Sequence, residues 1–570
     1  MIEPPLIVQT DRTVLLETQH PQYEAARDRL ARFAELEKSP EYVHFYRLTP
    51  VSLWNAAALG ESLDELLAWL VENSRFPIAP QVLAQFREWF RRYGLLRLVP
   101  AGDGQLRLET EQAGLLEELA QQPSLRDLVV QDDDGRVRVA AEQRGELKQA
   151  LVKLGYPVDD RAGYRTGDQL RFAWRSEAPA AAGGNTFALR DYQRAAAAAF
   201  HAGGSDRGGC GVVVLPCGAG KTVVGIAAMH LLQTNTLVLT TNTVAVHQWC
   251  REILDKTDLA ADQVGEYTGE HKQIRPVTVA TYQILTHRKG KLDGFTHLDL
   301  FDRGGFGLIV YDEVHLLPAP VFRATAGIQA RRRLGLTATL VREDGRADEV
   351  FSLIGPKRYE LPWKQLERQG FLATARCSEV RIPLPEARQA RYAAAGARAQ
   401  IRIAADNERK LDVVGALLEL HRQDRVLVIG QYLEQLQQLA TVFRLPLITG
   451  QTPNAERERL YAAFRSGELP RLIVSKVGNF AIDLPDANVA IQVSGTFGSR
   501  QEEAQRLGRV LRPKPDGGPA SFYTLVSADT REQEFAQKRQ LFLTEQGYTY
   551  AIVTGADLEA AAGRRREASA

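Results

Sequence analysis

Residues 212–228, VVVLPCGAGKTVVGIAA, constrain the fold more than any other stretch of this chain. Val212, Val213, Val214 and Leu215 read as a buried strand. Pro216, Cys217, Gly218, Ala219 and Gly220 make a tight loop, and Lys221-Thr222 open a helix. Glycines let successive N–H groups converge on one anion, and the helix N-terminus adds its partial positive charge. From there Lys221 reaches the β- and γ-phosphates of ATP, and the Thr222 hydroxyl suits Mg²⁺. The full GxxxxGK[ST] pattern has glycine where this chain has Leu215, which weakens a generic phosphate-loop assignment.

The surrounding pattern supports an α/β fold. Apolar runs VVVLP, TLVLTT, VTVATY, GLIVYDE and RLGLTAT alternate with helical stretches from Phe187 onward. The rhythm restarts after about residue 370 with RVLVIG, LPLITG, RLIVSK, VAIQVS and SFYTLVS. Continuous apolar runs suit parallel strands buried on both faces, so two tandem P-loop-type domains are expected, with parallel sheets and crossover helices.

Two further motifs complete an ATPase. In GLIVYDEVH (307–315) an apolar strand ends on Asp312 and Glu313. The first acid is placed to anchor Mg²⁺, and the second to deprotonate the attacking water. In RQEEAQRLGRVLR (500–512), Arg509 and Arg512 lie three apart, on one helix face. An arginine delivered across a cleft to the γ-phosphate is worth ~10³–10⁵ in rate.

At 570 residues the chain needs three or four domains. Its net charge of +1 confines any nucleic-acid surface to a local patch. Cys210, Cys217, Cys250 and Cys377 show no CxxC spacing, which points to reduced thiols in a cytoplasmic protein without a zinc site. No signal peptide and no run of 18 apolar residues is visible, so no membrane role is expected. Residues 1–125 run helix, helix, hairpin around Asp103-Gly104, the order of a winged helix, for docking DNA or a partner or simply for packing. Residues 126–177 read as a second small α+β unit closed by the strand DQLRFAWR, and 178–186 as a linker. The motor domains are expected at 187–370 and 371–555, with a tail at 556–570.

The set GAGKT, DEVH, TAT and QRLGRVLR is that of superfamily 2 helicases. LRDYQ, HQW, TYQ, LGLTATLVRED, SKVGNFAIDLP and GSRQEEAQRLGRVLRPK resemble the XPB family of DNA helicases, with His247 where many members have Glu. The resemblance covers about residues 126–555, and more weakly the N-terminal domain of bacterial members. It implies two RecA-like domains and 3′→5′ movement on DNA that is single-stranded, forked or damaged. It makes 126–177 a damage-recognition domain and 386–407 a short thumb-like insertion. Arg190 and Gln193 would recognise adenine, and Asp483 would approach the nucleotide from the second domain. Thr337, Thr339 and Gln505 would couple the nucleotide and DNA sites. His247, Gln248, Trp249, Thr281, Tyr282, Ser475 and Lys476 would meet DNA. Arg342, Glu343 and Asp344, the family's RED motif, would separate strands. A nuclease or other repair partner is implied in the same way. A duplex translocase that does not part strands, an RNA-dependent ATPase and a scaffold with a degenerate motor remain open, although intact Lys221, Asp312, Glu313 and Arg509 oppose the last.

Overall fold

A computed structural model describes the chain except for residues 1–2, 40–41, 133–134, 176–186, 206–207, 286, 288–296, 298–299, 318–330, 339–346, 372, 476–486, 496–518, 546–547, 549 and 570. Arg342, Glu343, Asp344, Thr339, Lys476, Asp483, Gln505, Arg509, Arg512 and the whole of the 178–186 linker therefore lie outside the described residues.

The two apolar rhythms form two seven-stranded sheets. In the first, the order is Val264–Tyr267, Val277–Thr281, Thr236–Thr240, Leu308–Asp312, Arg332–Thr337, Cys210–Val214 and Lys357–Glu360, all parallel. Alternate residues of single strands feed two different cores. Val213, Val238, Val310 and Leu336 face one side, while Val212, Leu239, Ile309 and Tyr311 face the other. Burial on both faces is why these strands read as unbroken apolar runs. The second sheet runs Leu447–Ile448, Arg471–Ser475, Val426–Gly430, Val489–Gln492, Ala520–Ser527, Ala375–Ile382 and Tyr550–Thr554, also all parallel. It splits its side chains in the same way, Val426 and Val428 to one core and Leu427 and Ile429 to the other. The chain passes between the sheets through helix Trp363–Arg368.

Upstream, Leu6–Val8, Thr13–Glu17, Val43–Arg47 and Glu35–Lys38 form an antiparallel sheet in that order. Helices Pro50–Ala58, Leu63–Glu72 and Pro80–Arg92 share its core through Leu53, Leu66 and Phe86. The expected hairpin forms, with Asp103 and Gly104 at φ of 50° and 72° as a two-residue turn requires.

Two sequence expectations need correction. The hairpin does not close a winged helix ending at 125. Its strands pair outward with Val137–Ala140 and Val158–Asp160, so one five-stranded sheet spans that boundary. Leu96, Leu98, Leu106 and Leu108 form an apolar face that is covered by Leu147 and Leu151 from beyond residue 125. The segment DQLRFAWR does not close that unit either. Asp168 N–H bonds Gly305 O at 2.8 Å, Leu170 N–H bonds Gln233 O at 3.0 Å, and Leu170 and Phe172 sit in the first motor core. The tail is helix Gly555–Ser569, packed on helix Arg409–Leu420 through a face that carries Leu558 and buried Ala562.

Candidate nucleotide site

Sheet register assembles the site. At the carboxyl ends of the strands Val214 lies opposite Thr337, Leu336 opposite Asp312, and Thr240 opposite Thr281. That edge is where open α/β sheets hold ligands. The phosphate loop leaves Cys210–Val214 there, with Leu215 N–H bonded to Thr337 O at 3.0 Å. Gly218 and Gly220 take φ of 82° and 77°, conformations L side chains rarely adopt. A Cβ at Gly220 would also come within 2.6 Å of Gln193 Nε2.

Helix Asp191–His201 braces the loop. The Tyr192 hydroxyl and Gln193 Nε2 both donate to the Ala219 carbonyl, at 2.8 and 3.0 Å. Gln193 Oε1 accepts the Arg190 N–H at 3.0 Å, and the Arg190 guanidinium stacks 4.5 Å over Phe371. Buried Gln193 thus supports the loop in this structure.

Helix Lys221–Leu232 starts at the loop, and Lys221 Nζ lies 3.2 Å from Glu313 Oε1. Burial alone would lower the lysine pKa, but the Glu313 carboxylate outweighs it and holds the ammonium well above its ordinary range. Glu313 has left-handed backbone, φ 50° and ψ 54°, which aims its side chain back at the loop. Such strain in a non-glycine residue costs about 1–3 kcal/mol and concentrates at functional sites.

The two acids are driven apart. Burial and the adjacent Glu313 charge push Asp312 up to about 6, opposed by Trp249 and Lys221. Burial would also raise Glu313, but Lys221, with help from His315, lowers it. Asp312 Oδ2 accepts Trp249 Nε1 at 2.9 Å, and Oδ1 accepts the Glu313 N–H at 3.1 Å. A largely buried carboxylate held in a fixed orientation fits Mg²⁺ with its preference for hard oxygen ligands, and the hydroxyl of Thr222, next to Lys221 in the chain, offers another such oxygen. Behind the acids, His315 Nδ1 hydrogen-bonds Thr337 Oγ1 at 2.6 Å, so Thr337 touches both the loop strand and the acid turn.

Several residues expected at DNA are elsewhere. Trp249, 1% exposed, is core, and its indole N–H orients Asp312. Thr281 and Tyr282 are buried, and the Tyr282 hydroxyl donates to the Asp312 carbonyl at 2.8 Å. Ser475 is buried at the end of its strand. None of these four offers surface to a nucleic acid. His247 and Gln248 do stand exposed on helix Thr243–Lys256. Sequence reading missed Trp249, Tyr192 and His315 as partners of the site. Trp249 lies 63 residues from Asp312 in the chain, and no periodicity links them.

Two tandem parallel sheets, the first with a glycine loop, lysine and acid pair on its carboxyl edge, define a P-loop motor of two RecA-like domains. Profile comparison matches residues 366–565 to the ERCC3/RAD25/XPB C-terminal helicase, 186–342 to the type III restriction enzyme res subunit, and 6–134 to a helicase conserved C-terminal domain. The chain is 51% identical over 98% of its length to a DNA 3′-5′ helicase XPB from Kineococcus radiotolerans, of which 98% is covered. It is 50% identical over 98% of its length to the one from Mycobacterium tuberculosis, of which 99% is covered. It is 33% identical over 96% of its length to the general transcription and DNA repair factor IIH helicase/translocase subunit XPB of Encephalitozoon cuniculi, of which 83% is covered. The chain belongs to the XPB family of helicases. Helicases of this kind use ATP. Among the described residues no helix is long and apolar enough to cross a membrane.

Proposed function

We propose that Gly218, Ala219, Gly220, Lys221 and Thr222 bind Mg·ATP, that Asp312 with Thr222 holds the metal, and that Glu313 is the general base of hydrolysis. The observation that carries this reading is the largely buried Lys221–Glu313 pair beside Asp312 at the carboxyl edge of the sheet. Mg²⁺ would supply neutralising charge between Asp312 and the phosphates. A triphosphate entering the loop competes for Lys221, which turns to the β/γ-oxygens and leaves Glu313 ionised to take the proton of the attacking water. Pro216 and Cys217 line the loop, and Arg190 and Gln193 border the adenine side.

From the second domain Asp483, Arg509 and Arg512 would close on the nucleotide, with Gln505, Thr337 and Thr339 passing its state to the DNA side. His247, Gln248 and Lys476 meet the strand backbone, while Arg342, Glu343 and Asp344 part the strands. An arginine there holds a phosphate, and two acids repel the displaced backbone. The polarity is 3′→5′, as in the names of the bacterial relatives. We place the enzyme at cytoplasmic DNA in repair, with the five-stranded unit recognising damage and a nuclease or other repair protein as partner.

The test is ATPase rate on single-stranded, duplex, forked and bubble DNA and on RNA, with fork unwinding measured on the same preparation. DNA-specific stimulation with unwinding is expected. Duplex stimulation without unwinding would make the protein a translocase, and equal stimulation by RNA would overturn the DNA assignment.

A further inference from the structure

Helix Trp363–Arg368, which joins the two motor sheets, ends in a way that fixes the residue beyond it. Gly370 takes φ of 76°, a left-handed conformation that suits glycine. Its N–H bonds the Glu367 carbonyl at 3.0 Å, and the Phe371 N–H bonds the Leu366 carbonyl at 2.9 Å. This pair of bonds is the Schellman closure of a helix, so the placement of Phe371 follows from local chain chemistry. Its ring reaches the first motor domain, where it meets the Tyr192 ring edge-on, 5.5 Å between centroids with 62° between planes. The Arg190 guanidinium lies over the Phe371 ring, 4.5 Å from its centroid.

Arg190 is held from a second direction. Its Nη1 donates to the Tyr192 hydroxyl at 3.0 Å, and that hydroxyl donates to the Ala219 carbonyl of the phosphate loop at 2.8 Å. Tyr192 is buried, so its hydroxyl is a fixed point. The Phe371 ring and the Tyr192 hydroxyl together orient a guanidinium whose residue is otherwise exposed. Two hydrogen bonds separate it from the loop that would hold the phosphates. A planar cation oriented before any ligand arrives is suited to lie against the face of a base, because its side-chain freedom is already lost.

We propose that Phe371 is a positioning residue for the base of ATP, holding Arg190 so that its guanidinium stacks on the purine ring. The inference rests on the adenine-side role given to Arg190. Phe371 lies in the segment between the two motor sheets, so the base is read partly from the joint of the motor and not by the first domain alone. A purine offers the guanidinium more stacking surface than a pyrimidine does, so the arrangement favours ATP over CTP. Phe371 belongs neither to the phosphate loop nor to the acid pair, so its loss should act on nucleotide affinity and spare the hydrolytic step.

The experiment compares full-length Phe371→Ala, Phe371→Leu, Phe371→Tyr, Arg190→Ala and Phe371→Ala/Arg190→Ala with wild type. KM and kcat for ATP and CTP, inhibition by inorganic tripolyphosphate, and thermal unfolding are measured on each. Phe371→Ala should raise KM for ATP about three- to tenfold with kcat within about twofold, and should narrow the preference for ATP over CTP. Phe371→Tyr should restore both, whereas Phe371→Leu, which keeps apolar bulk but has no π face, should not. Tripolyphosphate carries no base, so its inhibition constant should stay unchanged. The double variant should be no worse than Arg190→Ala, because the two residues act as one unit. Should Phe371→Ala fail to fold, Phe371→Leu against Phe371→Tyr carries the same comparison. Unchanged KM in Phe371→Ala, rescue by Phe371→Leu, equal losses for ATP and tripolyphosphate, or additive losses in the double variant would each overturn the inference. If Arg190→Ala leaves KM for ATP unaltered, the adenine-side reading of Arg190 has failed. If it raises KM while Phe371→Ala does not, the positioning role alone has failed.

Discussion

Replacing Trp249 with Phe tests how the acid pair is tuned. The substitution removes the group of that side chain that hydrogen-bonds Asp312, an N–H at 2.9 Å from Oδ2. A hydrogen bond to a charged group contributes about 1.5–3 kcal/mol, which is about one to two pKa units on the carboxylate. Asp312, already raised to about 6, should therefore titrate higher still in the variant, because the Trp249 N–H is one of the groups that holds it down. The acid limb of kcat/KM for Mg·ATP reports ionisations of the free enzyme, and it should move up by the same amount. The apparent Mg²⁺ requirement at neutral pH should rise in step.

The stability sign follows from linkage. Asp312 binds its proton more tightly folded than its ordinary 3.8 would allow, so its ionisation costs stability as pH rises from there through about 6. In the variant that cost keeps growing above pH 6, so the deficit against wild type widens there and vanishes at lower pH, where Asp312 is protonated in both folded proteins. Loss of ring volume beside Gly225, which the indole closely abuts, adds a pH-independent cost on the order of 1 kcal/mol. Urea denaturation at several pH values separates the two contributions. A uniform loss of stability with an unshifted acid limb would refute the role given to the indole N–H.

Other outcomes follow from the same geometry. Lys221→Ala should cut ATP hydrolysis by about 10²–10³-fold or more while the protein stays folded by circular dichroism, and wild-type turnover would remove the loop from the nucleotide site. Glu313→Gln should bind Mg·ATP with near-normal affinity but hydrolyse it very slowly, trapping a DNA-bound state; collapse of nucleotide affinity would instead mean that the roles of the two acids are reversed. Cys217, half-buried in the phosphate loop, should be alkylated by iodoacetamide in the nucleotide-free enzyme and protected by ATP, and equal labelling with and without ATP would contradict its place in the site.

Local chemistry alone sufficed for the strand–loop–helix at 212–228, the acid-terminated strand ending at Asp312 and the two parallel sheets. A glycine loop, a helix start and a strand buried on both faces are each written in contiguous residues, so short-range pattern reveals them. The N-terminal units were partly legible. The Asp103-Gly104 turn was, but the destination of its strands was not, because the face formed by Leu96 and Leu108 is satisfied by Leu147 and Leu151 from another segment. Trp249, Thr281 and Tyr282 show the same limit within the site. Their motif positions promised contact with DNA, yet packing turned all three inward, and two of them now hold Asp312. Only the tertiary structure could decide this, because sheet register brings the ends of separate strands together over spans of 30 to 63 residues. Burial at that edge, with a lysine opposite, then splits two neighbouring acids into one that holds its proton up to about pH 6 and one that gives it up more readily than an ordinary carboxyl.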